Sequence, residues 1–261
     1  MTFNLIGLGL DKNSISADAI EILKSCEKIY LENYTVNFPY EIEELETSFN
    51  ELWRFSNISE AEGFAQEGGQ EGKSPLKITQ LNREKVEDES ILKEAKKENI
   101  ALLVYGDALS ATTHMQLILE CKKQNIPYKI FHNASIMTAI ARTGLQPYKF
   151  GKTASMPCWK EHTNKPTSFA NYIKENLSCK SHTLILTDIG LNLKDAINQL
   201  KETSEIRKAI VLSNAGTKNQ KIFYDTLDNL KEIEVQMPFC IIIPTELHFL
   251  EKESLEELKE N

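Results

Sequence analysis

The sequence predicts an α/β protein of two domains, the first (residues 1–147) with a mostly parallel sheet and the second (148–261) with a mixed sheet. Three observations carry this. From Phe3 to Arg142, short apolar runs alternate with segments of helical periodicity, the β-α repeat that requires parallel strands joined by right-handed crossovers. Those runs end in glycine, hydroxyl, amide or carboxyl residues, as strands do at the ligand edge of an open sheet. After Gln146-Pro147 the strands follow one another more closely, which favours mixed pairing.

Phe3 to Leu8 is the first strand and runs into Gly7-Leu8-Gly9. Ala17, Ile20 and Leu23 then recur at helical spacing over 16–25. Lys28 to Leu31 is the second strand, ending at Glu32-Asn33-Tyr34-Thr35, and 38–53 is helical and acidic. Between Asn57 and Ser74 the apolar period is lost and four of the eleven glycines collect, predicting a mobile surface excursion. Ile78 to Leu81 is a short strand, and Arg83 to Glu98 one amphipathic helix. Leu102 to Tyr105 is a buried strand that breaks at Gly106-Asp107 into a Ser/Thr-rich turn before a helix over 112–124. By itself this corner reads equally as a capped turn or as a ligand loop. Tyr128 to Phe131 is a strand, 136–142 a helix with Gly144 as its C-cap. In the second half, strands are expected at 153–158, 182–187, 209–212, 221–227 and 240–243, and helices at 166–177, 193–202 and 248–259.

Composition narrows the function classes. With 30 basic and 38 acidic residues the net charge is −8, which argues against a general phosphate-binding surface and for a cytoplasmic protein. Five scattered cysteines without a C-x-x-C pair suggest neither a disulfide framework nor a zinc knuckle, and the five histidines lack metal-ligand spacing, so no metal is expected. The first residues lack the basic region of a signal peptide, and no apolar run approaches the roughly 20 residues that span a bilayer.

Gly7-x-Gly9 after a first strand invites a dinucleotide reading, with Glu32 placed like a ribose-binding acid. Lys12 stands where the third glycine belongs, and Asp11 would put a carboxylate near the pyrophosphate; both count against it. No G-x-S-x-G, Walker loop or Cys-His signature is present. His114, beside the Asp107 loop, is the histidine adjacent to a candidate site, more a packing or hydrogen-bonding residue than a base. The lining of hydroxyls, amides and small residues suits an uncharged heterocycle, a ribose and an amino-acid moiety better than a polyphosphate.

Along nearly its whole length the chain resembles the diphthine synthase family, S-adenosylmethionine-dependent methyltransferases of the tetrapyrrole-methylase fold. The motifs are LIGLGL (5–10), E-x-Y-T (32–35), GD-x-L-x-ATTH (106–114), ASI (134–136), TGL-x-x-YKFGK (143–152), PTSF (166–169), HTL-x-x-x-DI (182–189), the III-P strand (241–244) and ELH (246–248). The resemblance implies S-adenosyl-L-methionine folded in a cleft between the two domains. Leu10, Asp107, Ser110, Ser135, Ile136, Thr187, Ala215 and Phe239 are its implied binding residues, with Asp107 orienting the cofactor. It also implies a homodimer and methylation of the amine of a modified histidine on translation elongation factor 2. An activated sulfonium methyl needs alignment and desolvation, not a covalent nucleophile or a metal. Four departures stand out. The loop reads YGDAL where relatives carry prolines on both sides of GD. Phe239 replaces a common histidine, which a main-chain contact tolerates. The excursion at 57–74 and the stretch Trp159 to Lys165 are unlike the family. The alternatives are a related methyltransferase acting on a tetrapyrrole or RNA, and a non-catalytic cofactor-binding module.

Overall fold

Strands buried on both faces organise the first of two units. The computed structural model describes residues 1–61, 76–88 and 90–258. One unit comprises 1–34 and 40–135, the other 35–39 and 136–261. The 147/148 boundary read from the sequence therefore falls inside the second unit, because the turns after Ile136 pack on a strand of that unit.

In the first unit β1 (Phe3–Gly7), β2 (Lys28–Glu32), β3 (Ile78–Leu81), β4 (Ile100–Val104) and β5 (Tyr128–Phe131) pair in parallel in the order β3-β2-β4-β1-β5. Every residue of β1 and β4 is buried, which is why both read as near-continuous apolar runs. The exception, Asn4, donates its side-chain amide to the Ile100 carbonyl at 3.2 Å. Each fully buried Leu, Ile or Val here stabilises the fold by about 1.5–3 kcal/mol. The helices are α1 (Ala17–Leu23), opened by the Ser16 hydroxyl, α2 (Ile42–Ala61), α3 (Arg83–Glu87), α4 (Ser90–Ala95) and α5 (Met115–Lys123). Val86, Ile91, Leu92, Leu117, Ile118 and Cys121 pack on Phe3, Leu5, Ile100, Leu102 and Val104.

From β1 the chain travels toward β2, and from β4 it travels the other way, toward β5. Right-handed crossovers leaving two neighbouring strands in opposite directions lie on opposite faces of the sheet, so a crevice opens at the carboxyl ends of those two strands. That switch point falls where Gly7-Leu8-Gly9 meets Gly106-Asp107.

In the second unit β6 (Ala154–Met156), β7 (Thr183–Thr187), β8 (Lys208–Ser213), β9 (Lys221–Thr226) and β10 (Phe239–Ile243) form the mixed sheet β6-β7-β10-β8-β9. Only β6 and β7 run parallel. The last strand is inserted at the centre, which explains its unbroken apolar run. The helices are α6 (Ile136–Ala139), α7 (Ser168–Ser178), α8 (Leu193–Thr203), α9 (Leu227–Leu230) and α10 (Phe249–Glu257). Phe169, Ile173, Ala196, Ile197 and Leu200 of α7 and α8 pack on Ile185, Val211 and Ile241.

The single helix expected over 83–98 is two. Asp88 ends the first, and its carboxylate accepts the Ser90 amide at 2.8 Å, opening the second. α2 continues past Trp53 to Ala61, so 57–61 is helix where an excursion was expected; the rest of that excursion, 62–74, lies outside the described residues. α9 was not expected: Thr226 ends β9 and its hydroxyl accepts the Asn229 amide at 3.3 Å, starting a turn of helix. Gly144 does cap the turn before it, at φ +83°.

Candidate active site

Two strand-end turns are stitched together at the switch point of the first unit. The Gly9 amide donates to the Gly106 carbonyl and the Gly106 amide to the Gly9 carbonyl, both at 2.9 Å, while the Leu8 amide reaches Val104 at 2.8 Å. A Cβ on Gly7 would stand 2.7 Å from the Gly106 oxygen and 2.9 Å from the Ala108 nitrogen, so only glycine lets the Asp107 loop cross over the end of β1. Gly9, at φ +75°, would press a Cβ within 2.6 Å of Ser14. Close backbone approach thus accounts for both glycines of LIGLGL.

Asp107 sits in this crossing, 8% exposed. Its Oδ1 accepts the Leu109 amide at 3.0 Å and the Ser110 hydroxyl at 3.1 Å, and its Oδ2 accepts the Asn133 amide at 3.0 Å and lies 2.8 Å from His132 Nδ1. Burial pulls its pKa upward, but the Leu109 and Asn133 amides, His132 and Ser110 together outweigh burial and hold it below the ordinary carboxylate value. The carboxylate's four acceptor positions go to its own chain. Asn133 continues the clamp, donating its side-chain amide to the carbonyls of Gly7 (3.1 Å) and Ser14 (2.8 Å). Tyr105 donates its hydroxyl to the Leu10 carbonyl at 3.1 Å. Leu10, Asp107, Ser110 and Ser135 are therefore gathered on one carboxyl edge of the first sheet; Ile136 follows directly as the first residue of α6.

His114 does not face this edge. It is 1% exposed, neither ring nitrogen has a hydrogen-bond partner of good geometry, and burial pushes its pKa down to about 4 against a small opposing pull from Ala108. It is a core residue.

Thr187, Phe239 and Ala215 come together on one edge of the second sheet. Thr187 closes β7, where it donates its hydroxyl to the Phe239 carbonyl at 2.6 Å, and Phe239 opens β10 opposite Ser213 of β8. The Phe239 side chain packs in the core, so only its main chain is available to a ligand. Asn214, at φ +49°, turns the chain out of β8 into Ala215, and its amide donates to Pro238 at 2.8 Å. Its side-chain nitrogen reaches Gln236 Oε1 at 3.2 Å, whereas Asn214 Oδ1 is buried without a partner. Sequence reasoning passed over Tyr105, His132, Asn133 and Asn214; the HNAS run beside ASI and the SNAG turn were the signals that lay in view.

Residues 2–231 match the family described as Tetrapyrrole (Corrin/Porphyrin) Methylases. The chain is 32% identical to the diphthine methyl ester synthase of Schizosaccharomyces pombe, over 97% of this chain and 93% of that one. It is 35% identical to the diphthine synthase of Methanocaldococcus jannaschii, over 98% of both chains. A crystal structure of a diphthine synthase superposes with a TM-score of 0.82 at 29% identity, covering 99% of this chain and 96% of the other. The parallel and mixed sheets agree with that fold. The chain belongs to the tetrapyrrole methylases, in the branch of the diphthine synthases and diphthine methyl ester synthases, and is a methyltransferase.

Proposed function

We propose that this protein uses S-adenosyl-L-methionine to methylate the amine of the modified histidine on translation elongation factor 2, the step that makes diphthine. The observation that carries the reading is the locked crossing of the GD-x-L-x-ATTH and LIGLGL turns at the switch point, in a chain whose diphthine-synthase relatives match it end to end. When bound, S-adenosylmethionine supplies a methyl already activated by its sulfonium. The residues suit such a group. Both strand-end edges offer main chain, hydroxyls and amides, and Asn214 Oδ1 is a buried acceptor without an internal donor. Leu10, Ser110, Ser135, Ile136, Thr187, Ala215 and Phe239 would hold it, with Asp107 fixing the loop on which it rests. The chain's own contribution is to align nucleophile and methyl and to exclude water, which together can supply about 7–11 kcal/mol of barrier reduction.

Elongation factor 2 carrying the unmethylated adduct, incubated with cofactor and this protein, is expected to gain methyl increments at that histidine by mass spectrometry. Cofactor binding by calorimetry without any mass gain on this substrate would turn the assignment toward a tetrapyrrole or RNA. The net charge of −8 speaks against RNA. The reading extends to a cytoplasmic homodimer. It is supported by the apolar side chains of Tyr148, Phe249 and Leu250, 80%, 69% and 51% exposed on the second unit. A purified protein that sediments as a monomer at micromolar concentration would refute the dimer.

A further inference from the structure

We infer that His132 is the general base that takes the proton from the substrate amine, with Asp107 as its positioning residue. The inference rests on the amine reading above. An amine at neutral pH is largely an ammonium ion and has no lone pair until it gives up a proton, whereas a carboxylate oxygen can accept a methyl with none to lose. Amine transfer therefore calls for an acceptor at the edge where the methyl is delivered.

Of the five histidines one fits. His114 is sealed in the core. His182 has a carboxylate partner, Glu251, but both are fully buried. His248 lies at the start of α10 and His162 in an exposed turn, neither with a carboxylate on its ring among the described residues. His132 stands at the carboxyl end of β5, its side chain 67% exposed and its Nδ1 2.8 Å from Asp107 Oδ2. An ionised carboxylate only accepts, so the shared proton sits on Nδ1 and the lone pair is on Nε2. The oxygen that holds the ring is also held by the Asn133 amide, and the Asn133 side chain is tied to Gly7 and Ser14. The imidazole is thus mounted on the same clamp that builds the cofactor edge.

The step balances. The ammonium proton passes to His132 Nε2, the amine lone pair forms the new N–C bond, and the electron pair of the broken S–C bond stays on sulfur as a thioether. The imidazolium so formed faces the Asp107 carboxylate, the arrangement that stabilises its charge, and it is exposed enough to pass the proton to water.

Nitrogen NMR of imidazole-labelled protein without ligand is expected to show His132 as the Nδ1–H tautomer. In single-turnover assays on elongation factor 2 at saturating cofactor, His132→Ala and His132→Gln are expected to transfer about 100-fold more slowly or worse. Both should depend more steeply on pH than the wild type, because only amine already deprotonated in solution can then react, and added imidazole should restore rate to His132→Ala. An Nε2–H tautomer, or variants with the wild-type rate and pH profile, would overturn the assignment. A wild type that binds cofactor yet never methylates the amine would remove the reading beneath it, and His132 with it.

Discussion

Replacing Glu251 by alanine is expected to lower the stability of the second unit by about 3–5 kcal/mol, because it strands a set of buried donors. Glu251, on the first turn of α10, is fully buried. Its Oε1 accepts the Gln146 amide at 3.0 Å and His182 Nε2 at 3.1 Å, and its Oε2 accepts the His248 amide at 2.8 Å and the Lys149 ammonium. His182 Nδ1 in turn accepts the Thr245 amide at 3.0 Å, so the ring is neutral with its proton on Nε2 toward Glu251, and burial lowers its pKa in the same direction. One carboxylate joins α10, the start of β7 and the YKFGK turn. The alanine variant leaves two amides, an ammonium and an imidazole N–H without their acceptor, and Glu251→Gln should recover part of the loss through its remaining oxygen. Urea unfolding followed by Trp159 fluorescence in a Trp53→Phe background reports the second unit; a midpoint unchanged by Glu251→Ala would contradict this account. The same network sets an acid limit. Burial raises the Glu251 pKa, but Lys149, the two amides and His182 outweigh it and hold it at about 2, below its unfolded value of 4.5. A depressed carboxylate stabilises above the unfolded pKa and loses that contribution as pH falls through the folded one. Roughly 3 kcal/mol should therefore disappear between pH 4.5 and 2 in the wild type, and Glu251→Gln should not show that loss.

The two sheets and the polar ends of their strands were legible in the sequence, because a strand buried on both faces must be apolar throughout and a strand end must be polar. The pairing order was not. It places β1 between β4 and β5, so that residues far apart in the chain meet across the end of one strand. Asp107 and His132 are 25 positions apart, at the ends of two strands that do not pair with each other. They touch because Gly7 leaves room for the Asp107 loop to cross. Proximity in sequence pointed to His114 instead, which shares the Asp107 loop; its side chain turns inward at the head of α5. The paired helices at 83–95 were hidden for a related reason: their apolar spacing is continuous, and the break is made by the side chain of Asp88 competing for a backbone amide. Glycines 7 and 9 were recognisable as a turn, but the reason for them is a neighbour that only the folded sheet supplies.

Asp107→Ala should have the largest effect on catalysis of any single change at this edge. The carboxylate ties Leu109 and Ser110 of its own loop to His132 and Asn133 after β5, and without it four donors lose their acceptor. Cofactor affinity is expected to fall tenfold or more, about 1.4 kcal/mol, as the loop loosens. The turnover loss should exceed the affinity loss. At saturating cofactor the His132 ring is still free to rotate and to move its proton to Nε2, and removing the acid that orients a catalytic imidazole costs about four orders of magnitude in the serine proteases; about three orders are expected here, where solvent can replace part of the function. Asp107→Asn separates the two roles. It preserves shape and one accepting oxygen, so affinity should fall less than in the alanine variant. Its neutral amide, however, puts no negative charge beside the imidazolium whichever way it turns, and with its nitrogen at the Oδ2 position it meets the Asn133 N–H and His132 Nδ1–H donor to donor, so turnover should fall more than affinity. Calorimetry showing unchanged affinity in Asp107→Ala would sink the loop-clamp account. Wild-type turnover in Asp107→Asn at saturating cofactor would leave His132 without a need for its partner, and the carboxylate would then be a structural tie alone.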